Sequence, residues 1–73
     1  PEALRVLVTS LTAGDWRTRR CAAEALGQFS DVKAQRALAR ALEDSSEWVR
    51  VAAKRSLTKL SAIETTNRLV FGS

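Results

Sequence analysis

The chain of 73 residues carries 12 Lys or Arg against 8 Asp or Glu, a single cysteine and no histidine. Without histidine it can build neither a serine–histidine nor a cysteine–histidine nucleophile, and a closed zinc site lacks ligands, so we expect no catalysis, metal or cofactor. One cysteine excludes an internal disulfide and suits a reducing compartment, interpreted as the cytoplasm, and no apolar run is long enough to cross a membrane.

The spacing of apolar residues predicts five helices, over residues 2–12, 16–29, 32–43, 47–60 and 63–71. In the first helix, Leu4, Leu7, Val8 and Leu11 follow the i, i+3, i+4, i+7 pattern and form one apolar stripe. A break follows, and Asp15 is placed to cap the second helix.

The next three helices each carry an apolar face with many small residues. The residues expected to face the core are Thr18, Cys21, Ala22, Ala25, Leu26 and Phe29 in the second helix, Val32, Ala34, Leu38, Ala41 and Leu42 in the third, and Val49, Ala52, Ala53, Ser56, Leu57 and Leu60 in the fourth. Asp31 is placed to cap the third helix. Ser61 and Glu64 have the spacing of a capping box, which predicts a break before the fifth helix.

The chain repeats itself with a period of 31 residues. The matched pairs include Leu7 with Leu38, Leu11 with Leu42, Arg19 with Arg50, Ala22 with Ala53, Leu26 with Leu57 and Ser30 with Ser61. A repeat of this length that contains two helices predicts a solenoid whose units contact only their neighbours. We therefore predict an all-α fold, a right-handed α-α superhelix of about two and a half helix pairs. Residues 1–73 form one domain or a fragment of a longer array.

Two motifs carry a resemblance to a known family. Residues 19–27 and 49–57 read Arg-Arg-Cys-Ala-Ala-Glu-Ala-Leu-Gly and Val-Arg-Val-Ala-Ala-Lys-Arg-Ser-Leu, and residues 31–44 follow the form Asp-x-x-Ala-x-x-x-Leu-x-x-Ala-Leu-x-Asp. The chain thereby resembles HEAT-like repeats of the phycobilisome-lyase type. The resemblance implies that Arg19, Asp44 and Arg50 hydrogen-bond along the spine of the solenoid. Ala13 stands where the earlier spine aspartate would be, and Asp15 either substitutes for it or only caps.

Columns of residues 31 apart predict a basic patch on the concave face, made of Arg5, Arg36 and Arg40. This patch is a candidate for partner binding, although a solvated helix face has the same composition. The outward residues of the other helix layer, among them Arg20, Arg55 and Lys59, are interpreted as an ordinary solvated surface.

Three further residues have two interpretations each. Trp16 and Trp48 open helices and either pack over the turns or serve in an interface, with Trp48 expected to be the more exposed. Cys21 is interpreted as a small core residue rather than a bilin-carrying thiol.

The function predicted from these features is a non-catalytic protein–protein interaction scaffold with an acidic protein partner. Arg5, Arg36, Arg40 and Trp48 are the candidate contacts. The alternatives are part of a bilin lyase or chromophore-handling subunit, nucleic-acid binding through the basic patch, and a spacer or terminal cap. Apolar residues at the two ends, including Leu4, Val6, Val8, Ile63, Leu69, Val70 and Phe71, are expected to favour self-association.

Overall fold

A computed structural model describes the backbone of residues 2–70 and the side chains of residues 2–61. The four helices are α1 (Glu2–Ser10), α2 (Trp16–Leu26), α3 (Val32–Ala41) and α4 (Glu47–Val70). Over residues 2–70 there is no strand, and the predicted all-α fold is confirmed.

An aspartate precedes each of the last three helices and organises its first turn. The Asp15 and Asp31 side chains accept hydrogen bonds from the N–H groups of Arg17 at 3.0 Å and Lys33 at 2.7 Å. Asp44 accepts from the Ser46 N–H at 2.9 Å, just before α4. A helix leaves its first N–H groups without partners inside the helix, so these carboxylates stabilise the starts.

The first three helices end two or three residues earlier than the spacing predicts, because their last turns tighten. Successive N–H groups there donate three residues back rather than four. Examples are Ala13 to Ser10 at 3.1 Å, Phe29 to Leu26 at 3.1 Å and Asp44 to Ala41 at 3.1 Å. This tightening satisfies carbonyls that the end of a helix would otherwise leave unpaired.

The prediction of a separate fifth helix is wrong, since α4 continues through Ser61 to Val70. Residues 47–70 contain no glycine or proline, and Thr58 occupies the position that Gly27 holds at the end of α2. The Thr58 hydroxyl donates to the Lys54 carbonyl at 2.9 Å, a bond that is compatible with a continuing helix. The end residues Ile63, Leu69, Val70 and Phe71, which are expected to favour self-association, lie outside the described side chains.

The core lies between α2 and the other three helices, all of which α2 contacts. Its members are mostly alanines and leucines, and the buried set is Leu4, Ala23, Leu26, Ala34, Ala37, Leu38, Ala41, Val49, Ala52, Ala53 and Leu60. Small side chains let the helices approach closely, and the larger Leu26 and Leu38 fill the space between them.

Several residues predicted to face inward are exposed. They are Thr18, Cys21, Val32 and Leu42, while Leu4, expected at an open end, is buried. The face of α4 that carries Val49 and Ala52 packs against α2, whereas the corresponding side of α2, with Thr18 and Cys21, has no preceding helix pair beside it. Val32 and Leu42 lie at the two ends of α3, beyond its buried face. The interpretation of Cys21 as a core residue is therefore wrong.

Gly27 allows the closest approach between α2 and α4. A Cβ there would lie 2.7 Å from Ser56 Oγ and 3.0 Å from Ser56 Cβ. The buried Ser56 hydroxyl donates to the Ala23 carbonyl at 2.7 Å, so it cannot turn away without losing that bond. The φ of Gly27 is −65°, which any residue adopts, so proximity to Ser56 is what requires glycine here.

We expect Gly27→Ala to lower the free energy of unfolding by about 1–2 kcal/mol. Overpacking a buried contact costs about 1–3 kcal/mol, and the reduced freedom of the unfolded chain offsets part of it. Urea unfolding measures the change. Gly14→Ala is the matched control, because a Cβ at Gly14 meets no atom within 4 Å. Equal changes in the two variants would contradict the close approach at Gly27.

Candidate functional site

A polar junction ties the two repeats together near the starts of α2 and α4. Arg19 Nε donates to Asp44 Oδ2 at 2.9 Å and Arg19 Nη2 donates to Asp44 Oδ1 at 3.1 Å, a bidentate pair. Arg19 Nη1 donates to the carbonyls of Ala13 at 2.8 Å and Gly14 at 3.0 Å. The two charged side chains are only 14% and 11% exposed. Arg19 thus links the turn before α2 to the turn before α4.

Arg50 repeats part of this arrangement one unit later. Its Nη1 donates to the Asp44 carbonyl at 2.7 Å, six residues back, as Arg19 does to Ala13. Asp15 does not replace the aspartate that is absent at position 13. It caps α2, and its Oδ1 lies 3.9 Å from Nη1 of the exposed Arg17.

The pKa of Asp44 lies below its ordinary value. Burial is the largest single influence and raises the pKa. Hydrogen bonds from the Arg19 side chain and the Ser46 N–H, together with the charges of Arg19 and Arg50, lower it and outweigh burial. The carboxylate is therefore more stable in the folded chain than in the unfolded chain.

This lowered pKa predicts a loss of stability in acid. Asp44 contributes its full stabilisation above its unfolded pKa of about 4, and the contribution disappears as the pH falls through the lower folded pKa. Asp44→Asn should be less stable at pH 7 but should lose less further stability between pH 5 and pH 2. Urea unfolding across that range measures both slopes. Identical acid losses in the parent chain and the variant would contradict the contribution of Asp44.

Arg50 and Arg55 offer a second comparison, on one helix. Arg50→Ala removes the bond to the Asp44 carbonyl, while Arg55 forms no hydrogen bond with residues 2–61. We expect Arg50→Ala to cost about 1 kcal/mol more than Arg55→Ala, the net value of one hydrogen bond. Thermal and urea unfolding of both variants test this, and equal losses would remove Arg50 from the junction.

The arginines predicted for the concave face are all exposed, but the recess that Arg5 lines does not include Arg36 or Arg40. Arg5 lines a recess of about 470 Å³ between α1 and the start of α3, together with Lys33 and the carboxylates of Glu2 and Asp31. Arg36 and Arg40 lie further along α3, outside that recess. The charge around Arg5 is therefore mixed.

Trp48 lies in a different place, in a groove of about 400 Å³ between α2 and α4. Its side chain is 60% exposed, whereas Trp16 is half-buried against the core, in agreement with the expected order. The groove is lined by Arg20, Glu24, Trp48, Val51, Ala52, Arg55, Ser56 and Lys59. None of Arg5, Arg36 or Arg40 is among them, so the structure separates Trp48 from the other predicted contacts.

The residues of this groove were predicted to form ordinary solvated surface, so the sequence did not predict a binding site here. The available signal was the pair Trp48 and Val51, which lie one turn apart at the positions that Arg17 and Arg20 hold in the previous unit. Two large apolar residues on an otherwise charged outward face are unusual for plain solvent exposure.

Neither a metal centre nor a membrane-spanning segment emerges from the described part of the chain. No three Cys, Asp or Glu side chains converge there, and none of its helices combines the length and apolar character needed to cross a bilayer. Cys21 is a free, exposed thiol at the edge of a shallow recess with Trp16 and Arg17.

Helix pairs that repeat with a fixed period and join through equivalent arginines define an α-solenoid. Within that class, residues 1–70 match the family model of HEAT repeats, and the chain belongs to this family. The resemblance noted in the sequence is thereby confirmed at the level of HEAT repeats. Comparison with curated proteins gives no match.

Proposed function

We propose that this chain is a non-catalytic protein–protein interaction module for an acidic partner. HEAT repeats commonly act as such scaffolds. The observation that supports an acidic partner is the outward placement of positive charge. Ten of the eleven lysines and arginines within residues 2–61 are exposed, and only Arg19 is tucked into the junction.

Several acidic residues take part in contacts within the fold. Of the seven within residues 2–61, Asp15, Asp31 and Asp44 cap helix starts, and Glu24 pairs with Arg20 at 3.1 Å. The exposed surface of residues 2–61 therefore carries more positive than negative charge. A surface of this kind attracts acidic partners and speeds their association.

The likeness to the phycobilisome-lyase type of HEAT-like repeat supports an alternative proposal, that this chain is part of a bilin lyase or a chromophore-handling subunit. The proposal does not make this chain an enzyme. We also propose that the module is located in the reducing cytoplasm, where the exposed Cys21 would stay a free thiol.

A pull-down with the full chain as bait tests the proposal. Lysate is divided into nuclease-treated and untreated halves, and captured proteins are identified by mass spectrometry. We expect acidic proteins that survive nuclease and are released by moderate salt. Capture that disappears with nuclease would favour nucleic-acid binding, and no capture in either half would favour a spacer or cap.

Two charge-matched variants locate the surface in the same experiment. Arg5/Arg36/Arg40→Ala removes three positive charges from the α1 and α3 face, and Arg20/Arg55/Lys59→Ala removes three from the groove. Because the net charge falls equally, unequal losses of capture report the position of the contact rather than overall charge. Equal losses in both variants would mean that attraction is non-specific.

A further inference from the structure

We propose that the groove between α2 and α4 binds an acidic peptide segment that carries a bulky apolar side chain. This inference rests on the proposed function and gives it a site, made of Trp48 and Val51 with Arg20, Arg55 and Lys59. The site shares no arginine with the patch of Arg5, Arg36 and Arg40 that the sequence favoured.

The apolar part of the groove is open to solvent. Trp48 is 60% exposed and Val51 is 40% exposed, and they lie one turn apart on α4. Below them, Ala52 and Ser56 form a floor of small residues between the helices. Covering this strip with an apolar side chain removes large hydrophobic surface from water, and tryptophan is the residue most enriched at the centres of protein interfaces.

Trp48 is held in place before any partner arrives. Its ring stacks on Trp16, with the ring centroids 6.5 Å apart and the planes inclined by 26°. The Arg20 guanidinium lies over the Trp48 ring at 5.9 Å from its centroid. Since Trp16 packs against the core, this stack anchors Trp48 to the fold. A side chain that is already ordered loses little entropy on binding.

The positive charges that flank the apolar strip would attract carboxylates. The groove is lined by three cations, Arg20, Arg55 and Lys59. Among the described residues that line it, Glu24 alone is acidic. Glu24 already pairs with Arg20, and neither Arg55 nor Lys59 has a carboxylate within 4 Å among residues 2–61. Carboxylates of a partner would form charge-assisted hydrogen bonds with these free cations.

The same features favour a peptide over a nucleic acid. The strip between the cations is apolar, which suits an apolar side chain better than a phosphate backbone. A nucleobase that stacked on Trp48 would compete with Trp16 and Arg20, which already lie beside the ring. An acidic, apolar peptide would place an apolar side chain on the strip and carboxylates beside the flanking cations.

The test uses a synthetic twelve-residue peptide of alternating Glu-Glu and Leu-Leu pairs, titrated into the full chain under reducing conditions. Its controls are a peptide with serine in place of leucine, a peptide with glutamine in place of glutamate, and a single-stranded oligothymidylate. Amide chemical-shift changes locate the site, and their dependence on peptide concentration gives the affinity of each variant, including Trp48→Ala. Circular dichroism verifies that each variant is folded.

We expect shifts centred on Trp48, Val51 and Arg55, weaker binding of both control peptides, and at least a tenfold loss in Trp48→Ala and in Arg20/Arg55/Lys59→Ala. Arg5/Arg36/Arg40→Ala should change the affinity less than threefold. Shifts centred on Arg36 and Arg40 would overturn the groove as the site while leaving the proposed function intact. Tighter binding of oligothymidylate in the same groove would overturn both. If the peptide does not bind and Trp48→Ala leaves the lysate capture unchanged, the groove inference alone fails.

Discussion

Arg19→Ala should lower the free energy of unfolding by about 2–4 kcal/mol, the largest effect expected for any polar residue within residues 2–61. The variant loses two bonds to the Asp44 carboxylate and two bonds to the carbonyls of Ala13 and Gly14. It also leaves Asp44 with a charge that is 11% exposed and no longer paired with Arg19. A chain of this length is stable by only several kcal/mol, so the loss is a large share of the total.

A double-mutant cycle separates the bidentate pair from the bonds to the turn. Arg19→Ala, Asp44→Asn and the double variant are compared by urea unfolding, and we expect a coupling of at least about 1 kcal/mol between neighbours that share hydrogen bonds. Arg19→Lys should be intermediate, because an ammonium group cannot reproduce the planar fork. Arg36→Ala, which changes an exposed arginine, is the control. If Arg19→Ala loses no more stability than Arg36→Ala, the junction contributes little to the free energy of unfolding.

The repeat period and the local spacing were sufficient to predict the all-α fold and the approximate starts of the first four helices, but not the continuation of α4. Asp15 and Asp31 cap the helices that their positions indicate, because capping depends on local chemistry that is visible in the sequence. The contact between Arg19 and Asp44 was an expectation from the resemblance to HEAT-like repeats, not from the period.

The buried faces of α2 and α4 could not be derived by copying one repeat onto the other. Val49 is buried and Thr18 is exposed, although they occupy the same repeat position. Burial in a solenoid depends on which side of a unit has a neighbour, and the two units differ in this respect. The continuous α4 has a related cause, since Thr58 replaces the glycine that ends α2.

The groove could not be predicted from the sequence, for a physical reason. Arg20 and Glu24 come from one unit, and Trp48, Val51, Arg55 and Lys59 from the next, so the recess exists only where the two helices lie side by side. Repeat columns show which residues neighbour each other, but not where small residues such as Ala52 and Ser56 leave space between helices.

Leu26→Ala should cost about 2–5 kcal/mol, the usual range for a leucine removed from a packed core. Leu26 is fully buried, at 0% exposure, between α2 and the helices around it. The cost approaches the expected stability of the whole chain, so the variant should be largely unfolded in water at 37 °C. Urea unfolding in trimethylamine N-oxide, which strengthens burial, keeps the folded baseline measurable.

Three leucines of graded burial turn this prediction into a test of the packing register. Leu57, the repeat partner of Leu26, is only half-buried and borders a shallow recess with Gln35 and Leu60, so Leu57→Ala should cost less. Leu42 is 40% exposed, and Leu42→Ala should cost about 1 kcal/mol or less. Measurements at two protein concentrations exclude a contribution from self-association. The same atoms are removed each time, so equal losses of stability at the three positions would contradict the graded burial of Leu26, Leu57 and Leu42.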